Sequence, residues 1–101
     1  MAKTKIGNAN EFEDGFKKAI TLDWKSILII KKGGRVYALD GRCSHMGVPL
    51  EKGTIVDDTI RCIAHGAVFD LTTGKQLQDM QARDIRSYEV TQEGDELFID
   101  L

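Results

Sequence analysis

Every cysteine and histidine of the chain lies between positions 43 and 65, in two short clusters of the same order, Cys43-x-His45 and Cys62-x-x-His65. Thiolate and imidazole are the soft and borderline ligands that select zinc, copper and iron. An isolated cysteine behaves as a small buried hydrophobe. Four such residues gathered in matched order call for a shared task. A Cys43–Cys62 disulfide would account for the thiols and leave the histidines without a role. It would also be unusual in a reducing compartment.

Two metal chemistries compete for these residues. A structural zinc ion takes Cys₂His₂ sets, but usually pairs like with like, C-x₂₋₄-C in one knuckle and H-x₃₋₅-H on a helix. Here each cluster is mixed, and Cys43 and His45 are two residues apart. In an extended loop such residues have Cα atoms roughly 6–7 Å apart, a separation better suited to two metals than to one. The other chemistry is a two-iron, two-sulfide cluster with the cysteines on one iron and the histidines on the other. Each loop would then supply one ligand to each iron.

The elements that must position these residues read as short strands. "SILIIKK" and "RVYALD" flank Gly33-Gly34, and "GTIV" and "TIRCI" flank Asp57-Asp58, both hairpin patterns. "AVFDL" runs into a turn at Thr72-Thr73-Gly74-Lys75, and "RSYEVT" and "ELFIDL" flank Gln92-Glu93-Gly94-Asp95. Only "ANEFEDGFKKAI" has weak helical character, and Gly15 undermines it. The expected class is all-β, a small antiparallel sandwich or open barrel in which loops 42–50 and 61–69 form a ligand-bearing subdomain.

Bulk composition narrows the function. The 101 residues suit one domain over 1–101, with 42% hydrophobic and 30% charged residues. A net charge of −2 with interspersed signs argues against a nucleic-acid partner. The longest aliphatic run, Ile27-Leu28-Ile29-Ile30, is far shorter than the ~20 residues that span a bilayer. "MAKTKIGNANEFEDGF" lacks an apolar leader segment, so a cytoplasmic location is expected.

The order C-x-H…C-x-x-H-G, followed by Phe69-Asp70 and Thr73-Gly74, resembles the Rieske iron–sulfur proteins over residues 42–75. That resemblance implies one [2Fe–2S] cluster, with Cys43 and Cys62 on the inner iron and His45 and His65 on the outer one. It implies a one-electron carrier and not an enzyme in its own right, similar to the ferredoxin components of bacterial ring-hydroxylating dioxygenases. Such a monomer would shuttle between a flavin-dependent reductase and a terminal oxygenase or other acceptor. A small subunit of a multi-component oxidoreductase such as nitrite reductase, or a zinc-stabilised interaction module, are the alternatives.

Departures from the family carry their own expectations. Respiratory members bridge the two loops with extra cysteines; the matching positions here are Val48 and Ala64. Their Ser and Tyr donors to the cluster sulfurs are matched by Ala67 and Phe69, which have no hydroxyl to donate. Each missing donor is expected to lower the potential by roughly 60–130 mV. The chain should therefore sit near the low end of the family's approximate −150 to +300 mV range. The outer imidazoles can couple reduction to proton uptake, with an oxidised-state pKa expected well above neutrality. Pro49 is the only proline, so Met80 is the candidate to cover the cluster in place of a proline-bearing loop.

Overall fold

A computed structural model of the chain describes residues 3–22, 25–42, 49–63, 67–77 and 83–100. Among the described residues ten strands follow one another, β1 (Lys3–Asn8), β2 (Lys17–Leu22), β3 (Lys25–Lys32), β4 (Arg35–Asp40), β5 (Thr54–Val56), β6 (Thr59–Arg61), β7 (Val68–Asp70), β8 (Ser87–Tyr88), β9 (Val90–Glu93) and β10 (Glu96–Asp100). Two single 3₁₀ turns, Ala9–Glu11 and Leu50–Lys52, are the only helical pieces among the described residues. The strands form three antiparallel sheets, β1-β10-β9, β2-β3-β4-β8 and β5-β6-β7. The all-β reading holds. Among the described residues no helix is long and apolar enough to cross a membrane.

The four-stranded sheet is the middle layer, and β3 shows why. A strand sends successive side chains to opposite faces. Ile27 and Ile29 enter one core with Ala38, Tyr88 and Ile99, against the β1-β10-β9 sheet. Leu28 and Ile30 enter the other, with Leu39, Leu50, Ile60, Phe69 and Leu71. The unbroken run Ile27–Ile30 is therefore a strand buried on both faces. Gly33 and Gly34, at φ 61° and 77°, close the β3–β4 hairpin in the mirror-image turn that matches strand twist. Both carboxylate oxygens of Asp14 accept from the N–H groups of this turn, at 3.0 Å from Gly33 and 3.1 Å from Gly34. Those two donors hold the Asp14 pKa below its ordinary value.

The weakly helical segment resolves differently. Ala9–Glu11 makes one 3₁₀ turn, and Lys17–Leu22 becomes β2, paired without interruption from Lys17↔Ile30 to Leu22↔Lys25. Pairing with a buried central strand outweighs local helical preference.

Between β4 and β8 the chain leaves the middle sheet and returns to the same place. Asp40 N–H donates to Arg86 O (2.9 Å), Arg86 N–H donates to Asp40 Oδ2 (3.0 Å), and Tyr88 Oη donates to Asp40 Oδ1 (2.8 Å). Residues 41–85 are an excursion from this one junction, and they contain the β5-β6-β7 sheet and all four predicted ligands.

Candidate metal centre

The β5-β6-β7 sheet is built from three-residue strands. Pairs Thr54↔Arg61, Ile55↔Ile60 and Val56↔Thr59 join β5 to β6; Thr59↔Asp70, Ile60↔Phe69 and Arg61↔Val68 join β6 to β7. Asp57, at φ 53°, takes the left-handed turn position that aspartate tolerates, and Thr59 Oγ1 donates to Val56 O at 2.7 Å. So few ladder bonds fix a small sheet only if its loops are closed too.

They are closed at their feet. Cys62 N–H donates to Ala67 O at 2.7 Å, bracketing the segment that contains His65. Leu50 N–H donates to Gly41 O at 2.9 Å, and Arg42 bridges Pro49, bracketing the segment that contains Cys43 and His45. A third bracket surrounds residues 78–82: Leu77 N–H donates to Val68 O (2.8 Å), Gln76 N–H to Asp84 Oδ1 (2.8 Å) and Ile85 N–H to Gly74 O (2.9 Å). Of the four predicted ligands, Cys62 is described. Cys43, His45 and His65 lie outside the described residues, as do Val48, Ala64 and Met80.

The feet of the two ligand segments are brought together by glycine. A Cβ on Gly53 would stand 2.4 Å from Arg61 O and 3.1 Å from Leu50 O, so only hydrogen fits between these backbones. Leu50 and Cys62 then share one core with Ala67 and Phe69. Cys62 is 1% exposed, and Ala67 and Phe69 are fully buried. A buried thiol at the foot of a predicted ligand segment suits the dry side of a mixed Cys/His metal group. The donor set fits the group.

The Phe69-Asp70…Thr73-Gly74 motif proves to be structural. Asp70 Oδ1 accepts from Thr72 N–H (2.8 Å) and Thr73 N–H (3.0 Å), and Gly74 N–H donates to Asp70 O (2.8 Å). Gly74 has φ 76°, and a Cβ there would meet Ile85 O at 2.1 Å. The turn thus holds the returning chain at Ile85 directly against Gly74.

Polar side chains strap this subdomain to the middle sheet. Glu51 Oε2 accepts from Ala19 N–H at 3.1 Å, on the open edge of β2. Lys17 Nζ donates to Gly53 O and Lys32 Nζ to Asp57 O. These straps have no local sequence signature, since each links residues 25 or more positions apart.

The Rieske [2Fe–2S] domain family matches residues 2–89. The ferredoxin component of biphenyl 2,3-dioxygenase from Rhodococcus jostii is 32% identical over 101 residues, covering 100% of this chain and 94% of that protein. Human apoptosis-inducing factor 3 is 31% identical over 95 residues, 93% of this chain but 16% of its own length. The chain thus spans about one-sixth of that human relative. Among solved structures, Sphingomonas yanoikuyae B1 ferredoxin superposes with a TM-score of 0.88 at 26% identity, covering 99% of each chain. The ferredoxin complexed with the oxygenase of carbazole 1,9a-dioxygenase gives 0.87 at 22% identity, covering 96% of this chain and 91% of that one, a likeness of fold.

The chain belongs to the Rieske [2Fe–2S] domain family. Its cofactor is accordingly one [2Fe–2S] cluster, and a relative of matching length is the ferredoxin component of a dioxygenase.

Proposed function

We propose that the chain is a one-electron carrier in which Cys43 and Cys62 hold the inner iron and His45 and His65 the outer iron. It takes electrons from a flavin-dependent reductase and delivers them to a terminal oxygenase, working as a monomeric, cytoplasmic, single domain over residues 1–101. The observation that carries this reading is the buried Cys62 at the foot of a closed turn, sharing its core with Leu50 from the foot of the other ligand segment. One relative and one structural neighbour support an oxygenase as the acceptor: the relative is named as the ferredoxin component of a dioxygenase, and the neighbour is a ferredoxin of the same fold complexed with an oxygenase.

When bound, the cluster supplies a one-electron couple. The chain's own contribution is enclosure and the absence of donors. Leu50, Ala67 and Phe69 exclude water from the side on which Cys62 sits. Neither Ala67 nor Phe69 has a side-chain donor to stabilise added negative charge, which keeps the potential low. A redox titration is expected to give a midpoint below about +100 mV, in the lower part of the family span. A higher midpoint would overturn that argument.

The decisive test is an EPR spectrum of the purified, dithionite-reduced protein with its iron content. A rhombic signal whose average g-value lies below the free-electron value, lost in Cys62→Ser, supports the carrier reading. A colourless, iron-free, zinc-containing protein would make the four residues a structural site.

A further inference from the structure

Strand β1 carries an extra residue where it passes β10. Lys5 faces Phe98 and Gly7 faces Leu97, so Ile6 is the additional residue of a β-bulge. A bulge re-aims side chains and commonly borders a functional site. Gly7, at φ 150°, has no side chain, and the Phe12 ring lies over its backbone: a Cβ there would stand 3.0 Å from Phe12 Cζ. Lys31 fixes both aromatic residues of this corner, its N–H donating to Phe16 O (2.9 Å) and its Nζ to Phe12 O (3.1 Å). The two rings pack with centroids 4.7 Å apart.

These parts enclose a pocket. Ile6, Phe12, Phe16, Ile20 and Ile29 line about 230 Å³ between β1 and the middle sheet. Ile29 belongs to the core shared with Ile99, so the pocket lies across the middle sheet from the core that holds Cys62. Lys18 and Glu11 complete its wall. Glu11 Oε1 already accepts from Asn8 N–H at 2.8 Å. Lys18 is exposed, and among the described residues its Nζ has no hydrogen-bond or ion-pair partner. Glu13 and Lys31 stand beside these two, so the rim carries two charges of each sign and no net field. Lys5, Asp14 and Lys17 are engaged elsewhere, with Glu96, the Gly33-Gly34 turn and Gly53 O. What the rim offers a ligand is the free ammonium of Lys18.

Size and lining select the ligand. An apolar cavity of about 150 Å³ admits benzene, so this one admits a single ring with a short substituent. Aromatic walls favour another ring, in tilted or offset contact. We infer that the pocket binds a small monocyclic aromatic carboxylate, its ring against Phe12 and Phe16 and its carboxylate on Lys18 Nζ. The site stands apart from the electron-carrier reading.

The test is a fluorine NMR titration of the holoprotein with 4-fluorophenylacetate, run beside the neutral isostere 4-fluorophenylacetamide and the cation 4-fluorobenzylamine. The carboxylate is expected to saturate with a Kd of about 1 mM or tighter. It should bind about threefold more tightly than the amide, and the amine more weakly than either. Lys18→Met, at an exposed position, should weaken the carboxylate by about threefold and leave the amide unchanged. Phe16→Ala should weaken both, since it removes a wall and not the charge. In the parent, the carboxylate should shift the amide resonances of Gly7, Phe12 and Ile20 while those of Ile60 and Phe69, in the other core, stay still. No saturation by about 10 mM overturns the inference, as do equal affinities for carboxylate and amide or tightest binding of the amine. Shifts of Gly7 and Phe12 that follow protein concentration without ligand would assign the pocket to a second copy of the chain, and would equally overturn it. A protein without the EPR signal that still binds the carboxylate fails the carrier reading alone.

Discussion

Strands β3 and β6 are both the centre of a sheet, yet they are held by different means. β3 runs for eight residues and buries four in succession, Ile27 to Ile30, between two layers. At about 1.5–3 kcal/mol for each such side chain, apolar area alone secures it. β6 runs for three residues, buries Ile60, and passes directly into Cys62. What secures it is closure: brackets of backbone hydrogen bonds around each loop, and glycines that let backbones touch. One region tolerates imprecision because its stability is spread over area. The other concentrates its chemistry where a displaced atom is felt.

That contrast can be broken by substitution. Ile29→Ala, in the core between the two larger sheets, should destabilise the whole fold by about 2–5 kcal/mol in urea unfolding. A loss under about 1 kcal/mol would mean the middle sheet is not the source of stability. Gly53→Ala forces a Cβ to within 2.4 Å of Arg61 O. It should remove about 1–3 kcal/mol and, more tellingly, lower iron content while circular dichroism keeps the strand signal of the larger sheets. Iron content unchanged from the parent would show that the feet of the ligand segments can move apart without consequence.

The junction between the two regions gives a smaller, pH-dependent effect. Burial, and then the hydrogen bond to Asp40, push the Tyr88 pKa up from 10.0 to about 12. A phenol whose folded pKa exceeds its unfolded value stabilises the fold fully below pH 10, and that contribution is lost as pH rises through about 12. Tyr88→Phe should cost about 0.5–1.5 kcal/mol at neutral pH and should flatten the decline in this window. Urea midpoints across that range, compared between the two proteins, decide it; an equally steep decline in both would place the titration elsewhere.

Much of this architecture is legible in the chain, and the gaps have physical causes. The hairpins at Gly33-Gly34 and Asp57-Asp58 declare themselves because their turn residues sit between β-branched runs, and the fold places them there. The metal chemistry is legible because soft ligands are few and their order repeats, although three of the four lie outside the described residues. β1 and β2 are not legible: "KTKIGN" and "KKAITL" carry too few apolar residues, and become strands only through pairing with β10 and β3. The role of Asp70 was visible only as part of a motif, because an Asx turn is known by its acceptor geometry and not by spacing. The approach of Gly74 to Ile85, eleven residues on, has no local trace at all.

The single junction at Asp40 and Arg86 makes the ligand-bearing portion a cassette. Its two ends are neighbours in one antiparallel ladder, so its removal leaves two stumps that a short turn can rejoin. Residues 41–85 can thus be exchanged between related chains whose middle sheet offers the same pair of strand ends and the same apolar face to Leu50, Ile60 and Phe69. In such a chimera the redox properties should travel with the cassette and the melting temperature should stay with its host.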